Sequence, residues 1–334
     1  MTQIGYHASH EQFTPGELLE LVQRAEQAGF DAAMCSDHFH PWSQSQGQSG
    51  FAWSWLGAAL ATTRLPFGVV TSPVGRYHPA VIAQAAATLA QMFEGRFWLA
   101  AGSGEALNEG ITGAPWPPHQ QRNQRMHEAV SIMRRLWNGE DVTHHGAVTI
   151  EQARLYTRPK QASPVYAAAL SEETARWAGG WADGLITISL PHTRLKSVID
   201  AFHDGGGEGK PLLLQVKLSY DVNDEVALAG AHAQWRFNVF GNAISAELRT
   251  PQQFEAAAKH VKPEDMKEAV RVSCDPQRHI DWLQQDIELG FSGIYLHNVN
   301  RRQREFIDAF GEQVLPALRG INSNETQANK NRKE

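Results

Sequence analysis

The feature that most constrains the fold of this chain is a repeated alternation of short apolar runs with longer helical periodicities. Runs rich in β-branched and apolar residues predict strands, and segments with apolar residues three to four positions apart predict helices. Eight strand–helix pairs can be counted along the chain. That count favours a closed (β/α)8 barrel over an open doubly wound sheet. The sequence therefore predicts an α/β protein with a TIM-barrel architecture.

The expected boundaries follow from the same patterns. Predicted strands cover residues 3–8, 31–36, 65–71, 96–101, 165–169, 184–189, 212–220 and 293–297. Predicted helices cover residues 15–28, 53–63, 79–93, 119–136, 172–179, 194–203, 224–240, 278–289 and 303–318. Insertions are expected after strand four, as an extended excursion at 142–156, and after strand seven, at 241–267. We expect one domain of residues 1–320 and a disordered polar tail at 321–334.

Composition excludes several classes of function. A net charge of −6, from 30 basic and 36 acidic residues, argues against a nucleic-acid partner. No apolar run approaches the ~20 residues that a membrane span requires, and no signal peptide is expected at the N-terminus. The two cysteines, Cys35 and Cys274, are too few for a disulfide framework and are expected to be reduced and buried. We therefore expect a cytoplasmic protein.

Barrel enzymes carry their chemistry at the carboxyl ends of the strands, and the end of predicted strand two is rich in candidates. Asp37 and His38 follow that strand, and Trp42 comes shortly after. A histidine with an ordinary pKa near ~6.5 can exchange protons at cellular pH, and a neighbouring acid can orient it. Trp42 offers a flat face for a ring. A strand-end histidine that only hydrogen-bonds the backbone is the equally weighted alternative.

Two further strand ends add carboxylates to the same face. Strand four continues into Gly102-Ser103-Gly104-Glu105, which begins like a dinucleotide fingerprint but has Leu107 where the third glycine belongs. A glycine turn that lets the backbone approach a cofactor, with Glu105 directed inward, remains a plausible interpretation. Strand one is followed by Glu11, for which an exposed loop acid is the alternative.

Strands three and five end in residues with a structural and a functional interpretation. Arg76, after strand three, could contact an anion, but we favour a salt bridge. Ser171 precedes a predicted helix, and Thr174 lies three residues later. Free amides at a helix start suit a phosphate, but spacing alone favours Ser171 as a helix cap with Glu172 and Glu173 complementing the dipole.

Four blocks of residues, taken together, resemble a known family. They are Ala8-Ser9-His10-Glu11-Gln12-Phe13, Ser36-Asp37-His38-Phe39 with Pro41-Trp42, Arg76-Tyr77-His78-Pro79-Ala80-Val81-Ile82-Ala83-Gln84, and Gly104-Glu105-Ala106-Leu107-Asn108-Glu109. The chain is similar in these blocks to the luciferase-like flavin and deazaflavin oxidoreductases, in particular the F420-dependent glucose-6-phosphate dehydrogenases. Residues 177–184 resemble the subgroup described as probable non-F420 flavinoid oxidoreductases.

The resemblance implies roles for individual residues. It implies that His38 is the active-site base, that Trp42 stabilises the reacting centre, that Glu105 protonates the cofactor and that Glu11 supports them. It implies cofactor contacts by Asp37, Val69, Val70, Gly104, Asn108, Ala168, Ser171 and Thr174. It also implies a non-proline cis peptide between Val69 and Val70, which would cost about 3–4 kcal/mol.

Departures from the family pattern bear on substrate and cofactor. Pro191 and Glu268 stand where the family has lysines for a sugar phosphate, so glucose 6-phosphate is not expected. Ala169-Leu170-Ser171 and two glutamates replace the family's Gly-Gly-Pro phosphate loop, which favours FMN over the long acidic tail of F420. No metal is expected in the leading interpretation.

The leading hypothesis is a flavin-dependent oxidoreductase that performs hydride transfer or oxygenation on a small molecule, with His38 as base and Glu105 as acid. A flavin reductase is a possible partner, and the family's habit suggests a homodimer. One alternative is an F420-dependent dehydrogenase of a non-phosphorylated substrate. Another is a metal-dependent barrel hydrolase using His38 and His40, whose alternation would direct both imidazoles to one side. A third is a flavin-binding protein without turnover.

Overall fold

The computed structural model describes residues 2–320. Its central element is a parallel sheet with the strand order β10-β9-β11-β1-β2-β3-β4-β7-β8, closed by pairing of β8 with β9. Strands β5 and β6 form a separate antiparallel hairpin. The strands are β1 (Gln3–Ala8), β2 (Ala32–Ser36), β3 (Phe67–Thr71), β4 (Phe97–Ala101), β5 (Val142–His145), β6 (Thr149–Ala153), β7 (Val165–Ala168), β8 (Gly184–Ile188), β9 (Leu212–Ser219), β10 (Arg271–Val272) and β11 (Gly293–Asn298).

Helices connect the strands around the outside of the barrel, as parallel strands require. They are α1 (Pro15–Gln27), α2 (Ala52–Thr62), α3 (Pro79–Met92), α4 (Ala106–Glu109), α5 (His119–Trp137), α6 (Glu172–Gly179), α7 (His192–Phe202), α8 (Asp224–Trp235), α9 (Asn242–Ser245), α10 (Pro251–Ala257), α11 (Met266–Ala269), α12 (Pro276–Glu288) and α13 (Gln303–Ala309). In the described part of the chain, no helix combines the length and the apolar character needed to cross a membrane.

Local chemistry fixes where the helices begin. Thr14 caps α1, and Glu17 completes a reciprocal capping box, so two backbone amides that lack helical partners are satisfied. His78 caps α3, which begins at Pro79, a residue whose fixed φ suits the first helical position. The predicted capping of α1 by Thr14 is confirmed.

The lower part of the barrel is filled by side chains, and this determines where a cavity can lie. Trp98 packs edge-on against Tyr295, with ring centroids 5.6 Å apart, and against Tyr166, at 5.2 Å. Gly68 provides the room, because a Cβ there would come within 1.9 Å of the Trp98 ring. The interior is therefore closed below these rings, and only the end at the carboxyl termini of the strands remains open.

The (β/α)8 architecture predicted from the alternation is confirmed, and each barrel strand begins and ends within two residues of its prediction. The insertions after strands four and seven are also present. The first is the hairpin of β5 and β6, and the second contains α9 and α10 and leads into α11 and the short strand β10. Strand β10 was not predicted, because two residues are too few to show a periodicity. The predicted tail at 321–334 lies outside the described residues.

One helix prediction was too long. The helix predicted for 224–240 ends at Trp235, where a single 3-10 turn over Arg236–Asn238 follows. The segment predicted as a helix at 303–318 is helical throughout, because α13 passes into a π-helical turn over Phe310–Val314 and residues 315–320 are α-helical again. Apolar periodicity alone marks neither the end of the first helix nor the π turn in the second.

Candidate active site

A cavity of about 950 Å³ opens at the carboxyl ends of the barrel strands. All eight barrel strands, which are β1, β2, β3, β4, β7, β8, β9 and β11, contribute residues to its wall, either from within the strand or from the segment that follows it. Its volume lies near the upper end of the range of small-molecule and cofactor sites, which is roughly 300–1,000 Å³. The filled lower barrel and this open mouth together define one candidate site.

His38 and Glu11 form a close pair in the cavity wall. His38 Nδ1 lies 2.5 Å from Glu11 Oε1, and the Glu11 side chain is 3% exposed. Burial lowers the pKa of His38, but the carboxylate of Glu11 and its hydrogen bond outweigh burial and, with the charge of Glu105, hold that pKa above its ordinary value. Burial raises the pKa of Glu11, but His38 outweighs it and holds the pKa of this carboxyl well below its usual range. Glu11 therefore orients the His38 ring and stabilises its protonated form.

Trp42 packs beside the His38–Glu11 pair. Its ring is nearly perpendicular to the His38 ring, with centroids 5.2 Å apart, and packs in turn on Phe254 at 5.2 Å. Trp42 is 8% exposed and contributes to the cavity wall. The structure thus brings together three of the predicted catalytic side chains, those of Glu11, His38 and Trp42.

Behind His38, a buried network holds the chain that follows strand β2. Asp37 accepts hydrogen bonds from Trp53 Nε1 at 3.0 Å, Thr71 Oγ1 at 2.8 Å and Tyr77 Oη at 3.2 Å. Arg76 adds an ion pair to Asp37 at 3.0 Å. The Asp37 side chain is 1% exposed, so most of its hydrogen-bonding capacity is used inside the protein. Its main structural effect is to fix the position of the neighbouring His38.

Arg76 also pairs with Glu109. Arg76 Nη1 lies 2.5 Å from Glu109 Oε1, and the backbone amide of Arg76 donates to Glu109 Oε2 at 2.7 Å. Arg76 donates to the backbone carbonyl of Asp37 as well. Burial raises the pKa of Glu109, and the charge of Arg76 opposes that shift. The predicted salt bridge of Arg76 is confirmed, with two carboxylates instead of one.

Glu105 faces the cavity at the start of α4. Burial raises the pKa of Glu105, while the charges of His38 and Lys217 oppose the shift. Asn108 donates to Glu105 Oε2 at 3.3 Å and accepts from the backbone amides of Phe39 and His40 at 2.9 and 3.2 Å. Asn108 therefore links the segment after His38 to the predicted acid Glu105. A carboxyl with a raised pKa can donate a proton near neutral pH.

The glycine turn before Glu105 is tight. Gly104 has φ +81°, and a Cβ there would approach the Glu109 side chain to 2.8 Å. Gly104 and Ala168 both contribute to the cavity wall. Small residues at these two strand ends leave the backbone accessible from the cavity, and their predicted contact with a cofactor stays a prediction.

The prediction for Val69 and Val70 is wrong in two respects. No cis peptide bond occurs among residues 2–320. Both residues lie in a regular strand, paired in parallel register with Leu99 and Ala100 of β4, which explains the extended trans backbone. Only Val70 lines the cavity. The Val69 side chain is fully buried on the opposite face of the sheet, because strand residues alternate between faces.

Ser171 caps α6, as spacing predicted. Its hydroxyl accepts from the backbone amide of Thr174 at 3.3 Å and contacts the Thr174 hydroxyl at 3.0 Å. Both residues line the cavity, so both hydroxyls stand where an anionic group could approach the start of α6. Glu172 and Glu173 are exposed at the same helix end.

The structure separates the two histidines of the metal hypothesis. His38 Nδ1 pairs with Glu11, whereas His40 Nδ1 lies 2.9 Å from the carbonyl oxygen of Leu107 and is outside the cavity wall. Strand β2 ends at Ser36, so the alternation that would align the two rings does not extend to them. In residues 2–320, no cluster of three or more histidine, cysteine or acidic residues could hold a metal ion.

Sequence reasoning missed several residues of the cavity wall. Lys217 and Gln215 on β9, His7 on β1 and His297 on β11 all line it. The signal was available: residues 215 and 217 are two positions apart on one strand and are polar within an otherwise apolar run. Arg122, at the start of α5, also lines the cavity, and its side chain is 6% exposed.

Comparison with known proteins identifies the family of this chain. The family model described as luciferase-like monooxygenase matches residues 1–293. The chain belongs to the luciferase-like monooxygenase family, and it is an oxidoreductase of that family. An F420-dependent glucose-6-phosphate dehydrogenase of Intrasporangium calvum is 37% identical over 335 residues, which cover 96% of this chain and all of the relative.

Solved structures extend the comparison. An F420-dependent secondary alcohol dehydrogenase in complex with an F420–acetone adduct has a TM-score of 0.89 and 34% identity, covering 95% of this chain and 99% of that chain. The oxygenating constituent of 3,6-diketocamphane monooxygenase from Pseudomonas putida, in complex with FMN, has a TM-score of 0.70 and 16% identity, covering 95% and 98%. The second likeness supports the fold alone.

Proposed function

We propose that this oxidoreductase is a dehydrogenase that removes hydride from a small, non-phosphorylated secondary alcohol, with the deazaflavin F420 as hydride acceptor. The observation that carries the proposal is the His38–Glu11 pair, with 2.5 Å between Nδ1 and Oε1, beside Trp42 at the cavity mouth. A base that accepts a hydroxyl proton is needed when an alcohol is oxidised. The relatives named as F420-dependent dehydrogenases, at 34 and 37% identity, support the choice of cofactor.

The residues of the cavity fit a flavin-type ring with an anionic tail. Val70, Gly104 and Ala168 would border the ring, because they leave a wall of small side chains and backbone. The tail phosphate would be held by the hydroxyls of Ser171 and Thr174 and by the guanidinium of Arg122. Arg122 Nε is buried and has no hydrogen-bond partner among residues 2–320, as expected of a group that an anion completes.

Residues of the chain itself would accept and donate the protons of the reaction. His38 would take the hydroxyl proton at its free nitrogen, while Glu11 compensates the positive charge that develops on the ring. Asp37, Arg76 and Glu109 hold the backbone beneath His38 and would not touch the substrate. The bound cofactor supplies a two-electron acceptor for the hydride. Glu105, with its raised pKa, would supply a proton on the cofactor side of the cavity.

A second candidate is an FMN-dependent enzyme, either a dehydrogenase or an oxygenase supplied by a flavin reductase. One observation favours it. The start of α6 is already capped by Ser171, and the exposed Glu172 and Glu173 at that helix end would repel a long polyanionic tail. FMN presents a single phosphate there, whereas the tail of F420 carries further carboxylates.

The choice of a non-phosphorylated substrate rests on two positions in the rim of the cavity. Pro191 and Glu268, which replace the family's lysines, both line the cavity. The cations that remain nearby are Arg271, which is paired with the fully buried Asp286 at 2.5 Å, and the exposed Arg194 and Lys267. Among residues 2–320, these cations at the rim are therefore either paired or exposed.

Separate titrations with F420 and FMN test the cofactor. We expect F420 to bind at least about tenfold more tightly than FMN, a difference of about 1.4 kcal/mol, as measured by quenching of cofactor fluorescence. His38→Ala should leave that affinity nearly unchanged. Tight binding of FMN with no binding of F420 would establish the second candidate instead.

A further inference from the structure

We propose that Lys217 binds a carboxylate group of the substrate, so that the alcohol oxidised in this cavity is a small hydroxy acid. This inference rests on the proposed function and deepens it by naming the substrate class. No predicted role or family motif quoted above includes Lys217.

The side chain of Lys217 lines the same cavity as Glu11, His38 and Trp42. On β9 it pairs in register with His297 of β11, and β11 is flanked on its other side by β1, which carries His7. The rings of His7 and His297 are in contact, with centroids 4.3 Å apart. Gln215, two residues before Lys217, lies 3.2 Å from His7 through its side-chain amide. These four polar side chains form one continuous patch of the cavity wall, and Lys217 contributes its positive charge.

Among residues 2–320, the Lys217 ammonium has neither a hydrogen-bond acceptor nor an ion-pair partner. Its contact is the face of Trp235, with Nζ 5.4 Å from the ring centroid. The other buried cations in the wall are paired: Arg76 with Asp37 and Glu109, Arg122 with Glu247, and Arg271 with Asp286. Lys217 is therefore a cation for which the described protein supplies no anion.

The pKa values of the residues in this patch leave Lys217 as its charged group. Burial lowers the pKa of Lys217 to about 8, and the charge of Glu105 opposes the shift. The amine is thus still mainly protonated at neutral pH. Burial also lowers the pKa of His7 to about 4 and that of His297 well below its ordinary value, so both rings are neutral there. Lys217 is half-buried, so its charge is partly removed from water without a partner, and a substrate anion would offset that cost.

The surroundings favour a single negative charge over a phosphate. One ammonium faces the space, whereas phosphate sites in proteins combine several donors or cations. The carboxylates of Glu11 and Glu105 act electrostatically on the same region, because each shifts the pKa of a residue in or next to the patch. They would repel a dianion more strongly than a monoanion. The face of Trp235 suits the short carbon chain of such a substrate.

The position of Lys217 relative to His38 fits an α-hydroxy acid or a close homologue. His38, Glu105 and Lys217 all line the cavity, and the charge of Glu105 acts on both His38 and Lys217. A substrate whose carboxylate binds Lys217 would therefore present its hydroxyl inside the cavity that also holds His38. Oxidation would break the C–H and O–H bonds: the proton would pass to His38, the bound cofactor would supply the two-electron acceptor for the hydride, and the alcohol carbon would become a carbonyl. The product is an oxo acid.

The test compares two nearly isosteric probes, pyruvate and pyruvamide, binding to the purified cofactor-free protein and followed by calorimetry. We expect the wild type to bind pyruvate at least about tenfold more tightly than pyruvamide. Lys217→Met should reduce that ratio to about one, and Lys217→Arg should restore part of it. The matched control is Lys267→Met, which removes an exposed lysine from the rim of the same cavity and should leave the ratio unchanged.

Several results would overturn the inference: equal affinity of the wild type for both probes, no binding of pyruvate, or an undiminished ratio in Lys217→Met. The Lys217→Arg variant and circular dichroism distinguish a specific loss from misfolding, because a misfolded variant would lose the spectrum as well as the ratio. Failure of the proposed function would be seen separately, as absence of binding of F420 in the titration above, whatever the ratio of the two probes.

Discussion

Two parts of the cavity wall differ in how their charges are paired. The paired wall consists of Glu11, Asp37, His38, Arg76 and Glu109, whose charges are matched within the protein at distances from 2.5 to 3.0 Å. The open wall consists of His7, Gln215, Lys217 and His297, in which two neutral rings and an amide surround one unmatched ammonium. The difference separates two tasks: matched charges hold a reacting group in place, and an unmatched charge is left for a ligand.

The largest effect should come from the reacting group of the paired wall. We expect His38→Ala to reduce turnover by about 10²- to 10⁴-fold, while the affinity for the cofactor stays within a factor of a few. The control is His40→Ala, because the His40 ring contacts the carbonyl of Leu107 outside the cavity. Steady-state kinetics and cofactor titration measure both quantities. Parallel loss of binding and turnover in His38→Ala would contradict a proton-transfer role.

The next effect concerns stability. Arg76→Met removes the cation between Asp37 and Glu109 and leaves two buried carboxylates facing each other. Breaking a buried ion pair in this way costs about 3–5 kcal/mol, which urea denaturation would record as a lower free energy of unfolding. The exposed pair of Arg135 and Glu140, at 2.8 Å, is the comparison, and Arg135→Met should cost no more than about 1 kcal/mol. Equal losses would show that the paired wall is not held by its charges.

A smaller effect is a shift in pH dependence. Glu11→Gln removes the carboxylate that holds the pKa of His38 above its ordinary value, so burial should then lower that pKa. Because the neutral ring is the base, the rising limb of alcohol oxidation should move to lower pH. An NMR titration of the His38 ring gives the shift directly. A pKa that stays raised in Glu11→Gln would remove Glu11 from this role.

The pKa shifts of His38 and Glu11 also make the free energy of unfolding depend on pH. The raised pKa of His38 contributes stability that is complete below its unfolded value of about 6.5 and is lost as pH rises through the folded pKa. The lowered pKa of Glu11 contributes stability above its unfolded value of about 4.3, which is lost as pH falls. The pair therefore stabilises the fold most between about pH 4.3 and 6.5. Glu11→Gln should flatten the dependence of stability on pH above that window.

The smallest effect is expected in the open wall. Lys217→Met removes an ammonium that has no ion pair to lose, so the free energy of unfolding should change by less than about 1 kcal/mol or rise slightly. Urea denaturation of Lys217→Met and of Arg76→Met under the same conditions compares the free energy of unfolding that each wall contributes. A loss of about 3 kcal/mol or more in Lys217→Met would mean that Lys217 is tied into the protein as firmly as Arg76.

The paired wall was largely predictable from the sequence, and the open wall was not. His38 and Glu11 come two and three residues after the ends of β2 and β1, so the rule that barrel chemistry lies at strand ends made both of them candidates. Arg76 was recognised as a salt-bridging residue, but its two partners are 39 and 33 positions away along the chain. Only the closure of the barrel shows that one guanidinium serves both carboxylates.

Lys217 and His297 were overlooked for a different reason. They lie within strands instead of after them. The spacing of Gln215 and Lys217 places both side chains on one face of β9, but the local sequence does not tell whether that face is turned towards the helices or towards the lumen. The register between β9 and β11 places Lys217 beside His297, and register depends on long-range pairing. The cis peptide at Val69–Val70 was expected from family resemblance alone, and the regular pairing of β3 replaces it with extended backbone.

The most direct test of the central claim is anaerobic reduction of F420 by small secondary alcohols, followed by loss of its visible absorbance in the wild type and in His38→Ala. We predict that the wild type reduces F420, at a rate that rises with pH as His38 loses its proton, and that His38→Ala does so at least about a hundredfold more slowly. Equal rates in the two proteins would contradict the account. So would oxidation of glucose 6-phosphate in preference to every non-phosphorylated alcohol.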